Sequence, residues 1–417
     1  ESIYIPKARL PKRLSVSLAW IGSESIYNTW PDYFNSMKWL GFNGVGTFPR
    51  YWSEKTLGQN QAILDEGKAA GLQIVVNESP AGALSGDRKQ PETKSQLPDG
   101  KFGGVCPSYR GQYYQKELQS FADHAAWIKP NAIFYDIEAY WTGSQEAPRC
   151  SRCQERFKAG NYKDWDEFRA AMGTEIHRDI KNATEKALAA AGDHPKVLYG
   201  SYRTEAITHL NDGLFEWSQL YPDLLQISMP SLYVAGNAGL VAKNISANRA
   251  ALPANDIVPW LSTGCYGEYD PIHTRDMVLE AFANGARGVT YYWYGHFDAG
   301  HFKYHAEAVD IVAPIEDIFM DGKPLAGLKS SDDRVKVCGM GLPGEMAVLV
   351  SNYSNVPAGA PVQITIPATA RAAVYDMDSG KKIADLTPGK PLELRLGNRT
   401  TQLLYVGTKY AKAVARQ

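Results

Sequence analysis

From about residue 14 to 320 the chain alternates short apolar, β-branched runs with longer stretches whose apolar residues recur every three or four positions. That is the pattern of successive βα units around a parallel sheet. The runs that read as strands are 14–20 (LSVSLAW), 44–48 (GVGTF), 73–78 (QIVVNE), 132–138 (AIFYDIE), 196–202 (KVLYGSY), 224–229 (LLQISM), 256–262 (DIVPWLS) and 288–294 (GVTYYWY). The clearest helix between them is 166–192, which ends on Gly192 as a helix exit should. The segments WLGFNGV, AAGLQIVV and ANGARGVTYY repeat that device, each with a Gly between helix and strand. Eight such units predict an α/β fold, a (β/α)8 TIM barrel over residues 1–320. After residue 321 the period drops to two in KVCGMGL, EMAVLVSNYS, VQITIPA, AAVYDMDSGKKIADL and LELRLGNRTTQLLYVG, with turn signals LPGE, DSGK and LGNR. Residues 321–417 therefore predict a C-terminal antiparallel β-sandwich.

Composition narrows the function classes. Of 417 residues, 44% are hydrophobic and 21% charged, ordinary globular usage that can bury a large core and argues against disorder. Lys and Arg number 44 against 45 Asp and Glu, and no dense basic run occurs, which removes nucleic acid and anionic membrane from the expected partners. No apolar run reaches the roughly 18–20 residues of a membrane span. The N-terminal stretch ESIYIPKARLPKR has no apolar targeting core, so the expectation is a soluble chain, secreted or periplasmic with its leader removed. The aromatic content is the more telling number: 24 Tyr, 13 Phe and 10 Trp, many just after predicted strands. Sugar rings pack their C–H faces on such side chains, although aromatics fill cores as well. The expected partner is thus a carbohydrate, and no cofactor is implied.

In a TIM barrel the chemistry sits at the C-terminal ends of the strands. The fourth predicted strand ends Tyr135-Asp136-Ile137-Glu138, and two carboxylates two residues apart point to one side of a strand. Held close together in a partly dry cleft, they cannot both ionise freely; one pKa rises, and that group can act as an acid at neutral pH. Polar candidates at other strand ends are Glu78, Arg203, Glu268 and Asp298, and Tyr140, Trp141, Tyr233, Tyr291 and Trp293 are candidate walls of a sugar subsite. A buried acidic pair satisfied by neighbouring Arg or Tyr groups is the non-catalytic reading of the same residues.

The DxE end of the fourth strand resembles that of the chitinase-like and hexosaminidase-like glycoside hydrolases, whose barrels carry their acid/base Glu there. The sixth strand, with Met229 and Tyr233, and Trp293 of the eighth loosely resemble the same barrels, where a Tyr and a Trp surround the sugar ring. Where the full chitinase signature has further aspartates, this chain has Asn131, Ala132 and Phe134. The resemblance implies a glycoside hydrolase in which Glu138 is the general acid/base and Asp136 its partner, orienting a 2-acetamido group that attacks in a substrate-assisted mechanism. A conventional retaining enzyme pairing Glu138 with Glu268 is the alternative, although the seventh strand ends Trp260-Leu261-Ser262-Thr263-Gly264, without a carboxylate. Were Asp136 itself the nucleophile, a second acid would be expected on the sixth strand, where SMPSLY has none. Outside the enzyme class stands a carbohydrate-binding barrel without catalysis.

Five cysteines leave the redox compartment open, and only Cys150 and Cys153 are neighbours. One CxxC supplies two zinc ligands; a structural zinc would need two more, from Cys106 or a distant His. A local disulfide and simple loop packing fit the same spacing, and no metal site is expected. The long polar segment 83–111 after the third strand is of the kind that shapes substrate sites, or is a plain excursion.

Overall fold

The computed structural model describes residues 5–7, 9–19, 32–79, 90–136, 141–201, 214–292 and 294–415, without the side chains of Trp141 and Tyr294. The strands of the first part are β1 (Ser15–Leu18), β2 (Gly44–Thr47), β3 (Gln73–Glu78), β4 (Lys94–Gln96), β5 (Phe102–Val105), β6 (Ala132–Tyr135), β7 (Leu198–Ser201), β8 (Ile227–Ser228), β9 (Asp256–Ile257), β10 (Trp260–Ser262) and β11 (Gly288–Tyr292). The helices are α1 (Tyr33–Trp39), α2 (Leu57–Ala69), α3 (Gln112–Ile128), α4 (Trp141–Glu146), α5 (Ser151–Ala159), α6 (Trp165–Ala190), α7 (Trp217–Leu220), α8 (Ala238–Ala251), α9 (Ile272–Ala283), α10 (Ala299–Val312), α11 (Glu316–Asp321) and α12 (Ala411–Val414). Parallel strands alternate with helices, an α/β fold. The chain forms two compact units, which we call central (Gly46–Lys68 and Gln73–Ser231) and terminal (Glu1–Val45, Ala69–Leu72 and Leu232–Gln417).

In the central unit β3, β6, β7 and β8 are parallel neighbours in chain order. β3 is buried beyond its first residue, as strands covered on both faces are, which is why QIVVNE reads as an apolar run rather than an alternation. The long helix α6 begins where the Asp164 carboxylate accepts the backbone N–H groups of Asp166 and Glu167 at 3.1 and 2.9 Å, a side-chain N-cap. It ends before Gly192, whose φ of 81° lies in the left-handed region open to glycine. The antiparallel hairpin β4–β5 falls inside the segment that the sequence left as a long polar loop.

In the terminal unit β10, β11 and β1 run parallel, and β1 pairs with the start of β2 through Ser17↔Gly44 and Leu18↔Val45. The seventh predicted strand is split into β9 and β10 at Val258-Pro259, because proline has no N–H to give the ladder. Gly41 and Gly285, two of the helix-exit glycines, have φ of 92° and 100°, the conformation that the repeated sequence device implied.

The same unit holds the C-terminal strands: β12 (Lys323–Pro324), β13 (Lys329–Ser330), β14 (Lys336–Leu342), β15 (Glu345–Ser351), β16 (Pro361–Thr365), β17 (Ala372–Asp376), β18 (Lys382–Leu386), β19 (Leu392–Arg395) and β20 (Thr401–Gly407). They form two antiparallel sheets, ordered β12-β14-β15-β20-β17-β18 and β13-β16-β19. Val362 and Ile364 of β16 and Leu392 and Leu394 of β19 join Val348, Val350, Val374, Leu404 and Val406 of the larger sheet in one apolar core. Burial of β16 alternates residue by residue, so its outer face meets water. β15 is buried along its whole length, since its second face meets α9 and α11.

Candidate active site

The central unit orients its strand ends by simple alternation. Tyr135 of β6 stacks on Tyr199 of β7 at 6.2 Å and meets Phe121 of α3 and His177 of α6 edge-on, so it faces the helices. Phe134 and Asp136 consequently take the opposite face. The extended register continues past β6, with the Asp136 N–H donating to the Glu78 carbonyl at 2.7 Å, and Asp136 stands half-buried at the C-terminal edge. Asn77 of β3 and Gly200 of β7 both pair with Phe134 and share its row. A Cβ on Gly200 would lie 2.7 Å from the Met229 sulfur, so this position is reserved for the Met229 side chain.

Glu78 pairs with Tyr135 and shares its helix-facing row. Its Oε1 lies 2.6 Å from His124 Nδ1 and its Oε2 3.5 Å from Arg50. Arg50 also grips Glu117 through two bonds of 2.5 and 3.3 Å in the bidentate manner suited to guanidinium and carboxylate. Glu78 is therefore a buried member of a charge network, a placement that differs from the open substrate contact expected of it. Arg50 comes from the turn after β2 and Glu117 and His124 from α3, partners that nothing in a single strand end reveals.

In the terminal unit Ser17, Thr290 and Trp260 lie side by side, with the Ser17 and Thr290 hydroxyls 2.8 Å apart. That row ends in Tyr292, whose ring centroid is 5.6 Å from Tyr233 and 6.0 Å from Tyr266. Tyr233 and Tyr266 stack at 4.4 Å with 4° between their planes, and Tyr266 is 54% exposed. A flat aromatic surface open to solvent is what the C–H face of a sugar ring packs on. Tyr291 requires a correction: it is fully buried, its hydroxyl is 2.9 Å from His305 Nδ1, and Phe42 and Phe297 surround its ring. The one-residue alternation of the strand makes Tyr291 a core residue and gives the open face to Tyr292. Counting the phase from the small, polar Thr290 would have found it.

Glu268 lies exposed in its loop and folds toward Gly264, where an added Cβ would sit 3.1 Å from its carboxylate. Asp298 is the N-cap of α10, accepting the His301 backbone N–H at 2.8 Å and lying 2.9 Å from the His301 ring. Slight burial pulls its pKa up, but the His301 contacts outweigh that and hold it below the usual carboxylate range; its role in the fold is that of a cap. Glu138, Tyr140, Arg203, Trp293 and the side chain of Trp141 lie outside the described residues.

The central unit also gathers three buried thiols. Cys106 Sγ is 3.7 Å from Cys150 Sγ and 3.6 Å from Cys153 Sγ. Among the described residues these form the one group of His, Cys, Asp or Glu side chains able to converge on an ion.

No family model matches the sequence, and no curated protein matches it. Solved structures do. A Bacteroides fragilis protein assigned as an α-galactosidase superposes with a TM-score of 0.57 at 12% identity, covering 97% of this chain and 81% of that one. The GH36 α-galactosidase AgaA of Geobacillus stearothermophilus gives 0.59 at 10%, covering 95% of this chain, which spans only 56% of that enzyme's length. A Bacillus halodurans protein assigned as an α-N-acetylgalactosaminidase gives 0.54 at 10%, covering 97% and 100%. At such identities the likeness carries the fold alone, and the chitinase-like and hexosaminidase-like resemblance gains nothing from it.

Proposed function

We propose that the chain is a glycoside hydrolase, a (β/α)8 barrel over residues 1–320 followed by a β-sandwich over 321–417. The observation that carries the proposal is the position of Asp136: a half-buried carboxylate just beyond the C-terminal end of a parallel strand, on the face that the helices do not cover. Chemistry in barrels of this class gathers at that edge, and proteins of similar fold are named for glycosidase activity. In this reading Glu138 gives its proton to the glycosidic oxygen as the bond to the anomeric carbon breaks. Asp136 steadies the positive charge that develops, or orients a 2-acetamido group that attacks from within the substrate. Glu268 as a nucleophile draws no support from its exposed place in the loop.

The test is turnover of a panel of chromogenic glycosides. The named activities of the structural neighbours put α-galactosides and N-acetyl-α-galactosaminides first, followed by the N-acetylhexosaminides suggested by the DxE motif. Glu138→Gln should lower the rate roughly 10²- to 10⁴-fold, the share of a general acid, while the chain keeps its fold and its affinity for the glycoside. Binding to sugars with no turnover by the unmodified chain on any panel member would overturn the enzyme reading in favour of a carbohydrate-binding barrel.

A further inference from the structure

We propose that Cys106, Cys150 and Cys153 hold a structural zinc ion in the central unit, with the fourth position filled by a water oxygen. Zinc lies about 2.3 Å from thiolate sulfur, so three tetrahedrally placed sulfurs sit roughly 3.8 Å apart. The observed separations of 3.7 and 3.6 Å have that spacing, and all three sulfurs fall within 4.8 Å of one another. A disulfide would need two sulfurs about 2.0 Å apart and would strand the third thiol. The surroundings suit thiolates as well. The Gln96 N–H points at Cys150 Sγ at 3.4 Å, and the Ser108 hydroxyl donates to Cys153 Sγ at 3.2 Å, the outer hydrogen bonds that orient metal-bound sulfur. Cys150 and Cys153 bracket the first turn of α5, whose N-terminal end favours negative charge.

On binding, three S–H protons leave as three Zn–S bonds form, and the sulfurs stay thiolates. The ion ties the residue that follows β5 to the start of α5, fastening the β4–β5 hairpin to the segment that follows the Asp136 strand. Soft thiolate donors select zinc over the hard cations that carboxylates prefer. The CxxC spacing contributes two of the ligands, and the third comes from Cys106, 44 residues earlier.

The experiment is metal analysis of the chain purified under reducing conditions without chelator. The expected result is about one zinc per chain, released as a mercurial reagent titrates the thiols. Replacement by cobalt should bring the sulfur-to-metal charge-transfer absorption and the visible bands of a tetrahedral thiolate site. Cys106→Ser and Cys150→Ser should each lower occupancy at least about tenfold, whereas Cys265→Ser should leave it unchanged. Should the serine variants fail to fold, the mercurial titration and the cobalt spectrum of the unmodified chain still decide. A chain that is free of zinc as purified and takes up neither zinc nor cobalt overturns the proposal. So does a thiol count two short of the five cysteines in the unreduced, unfolded chain, which identifies a disulfide. None of these readouts depends on glycoside turnover.

Discussion

The two units end their parallel strands differently. The central unit ends them in charge: Asp136 on the face opposite the helices and, in the helix-facing row, the Glu78–His124–Arg50–Glu117 network. The terminal unit ends them in rings, Tyr233, Tyr266 and Tyr292, and sinks its charges elsewhere. There Arg275 of α9, fully buried, meets Asp378 at 2.5 Å, Glu307 at 3.3 Å and the Thr401 hydroxyl at 2.8 Å. Beside it Glu280 accepts the hydroxyls of Ser351 and Tyr353 at 2.6 and 2.8 Å. Those groups lie between α9 and the antiparallel strands and serve architecture. Two carboxylates at strand ends of the central unit thus part company by the face they take: Glu78, in the helix-facing row, is tied into ion pairs, whereas Asp136 stands half-buried on the opposite face.

The contrast is broken most decisively by a pair of substitutions. Asp136→Asn should cost roughly 10²-fold or more in kcat/KM with the unfolding midpoint unchanged. Arg275→Met should do the reverse, losing roughly 2–3 kcal/mol of stability because Asp378 and the Thr401 hydroxyl and carbonyl lose a charged donor, while Glu307 keeps Arg399 at 2.6 Å, with the folded fraction retaining its rate. Denaturant melts and initial rates on the same preparations check both. A D136N chain that unfolds easily, or an R275M chain that is stable but inactive, would reverse the assignment.

Acid should expose the buried histidines of both units. Burial drives the pKa of His177 in the central unit down to about 4 and that of His305 in the terminal unit down to about 3, from an ordinary 6.5. The unfolded chain therefore takes up protons that the folded chain refuses. Their contribution to stability is complete above pH 6.5 and is lost as pH falls through 6.5 toward 4 and then 3, by a few kcal/mol on the order expected from linkage. Guanidinium midpoints measured across that window should decline, and His305→Gln should flatten part of the slope.

Smaller effects sharpen the aromatic side of the comparison. Tyr266→Ala should raise KM by a few-fold, about the 0.5–1.5 kcal/mol of an aromatic contact, and leave stability alone. Tyr291→Phe should cost stability by about 1 kcal/mol through the lost bond to His305 and leave KM alone. Glu268→Gln should change neither the rate nor the melt; a large loss of rate would reinstate it as the nucleophile.

Much of the fold was legible because it rests on local rules. Predicted and observed limits coincide for β3 and β14 and nearly so for β1 and α6, where apolar runs or three-to-four spacing leave little ambiguity. The split at Pro259 was legible in principle and overlooked, since an apolar run masked the missing donor. The site was harder. Asp136 follows from alternation along one strand, and choosing Tyr292 over Tyr291 rests on the phase that Thr290 sets, a single small polar residue easily passed over in an otherwise apolar run. The partners of Glu78 and the third cysteine come from distant segments, and pairing across such separations is a property of packing that no local window contains.

The corner between β5 and α4 joins backbone to backbone. A side chain at Gly143 would land on the Val105 carbonyl oxygen, and one at Gly104 would come within 2.6 Å of the Gly143 nitrogen. Two main chains in direct van der Waals touch, pinned further by the Glu146 carboxylate that accepts the Gly104 N–H at 2.9 Å, behave as a weld. The hairpin and the short helix should accordingly hold as one rigid piece, which a side chain at either glycine would pry apart.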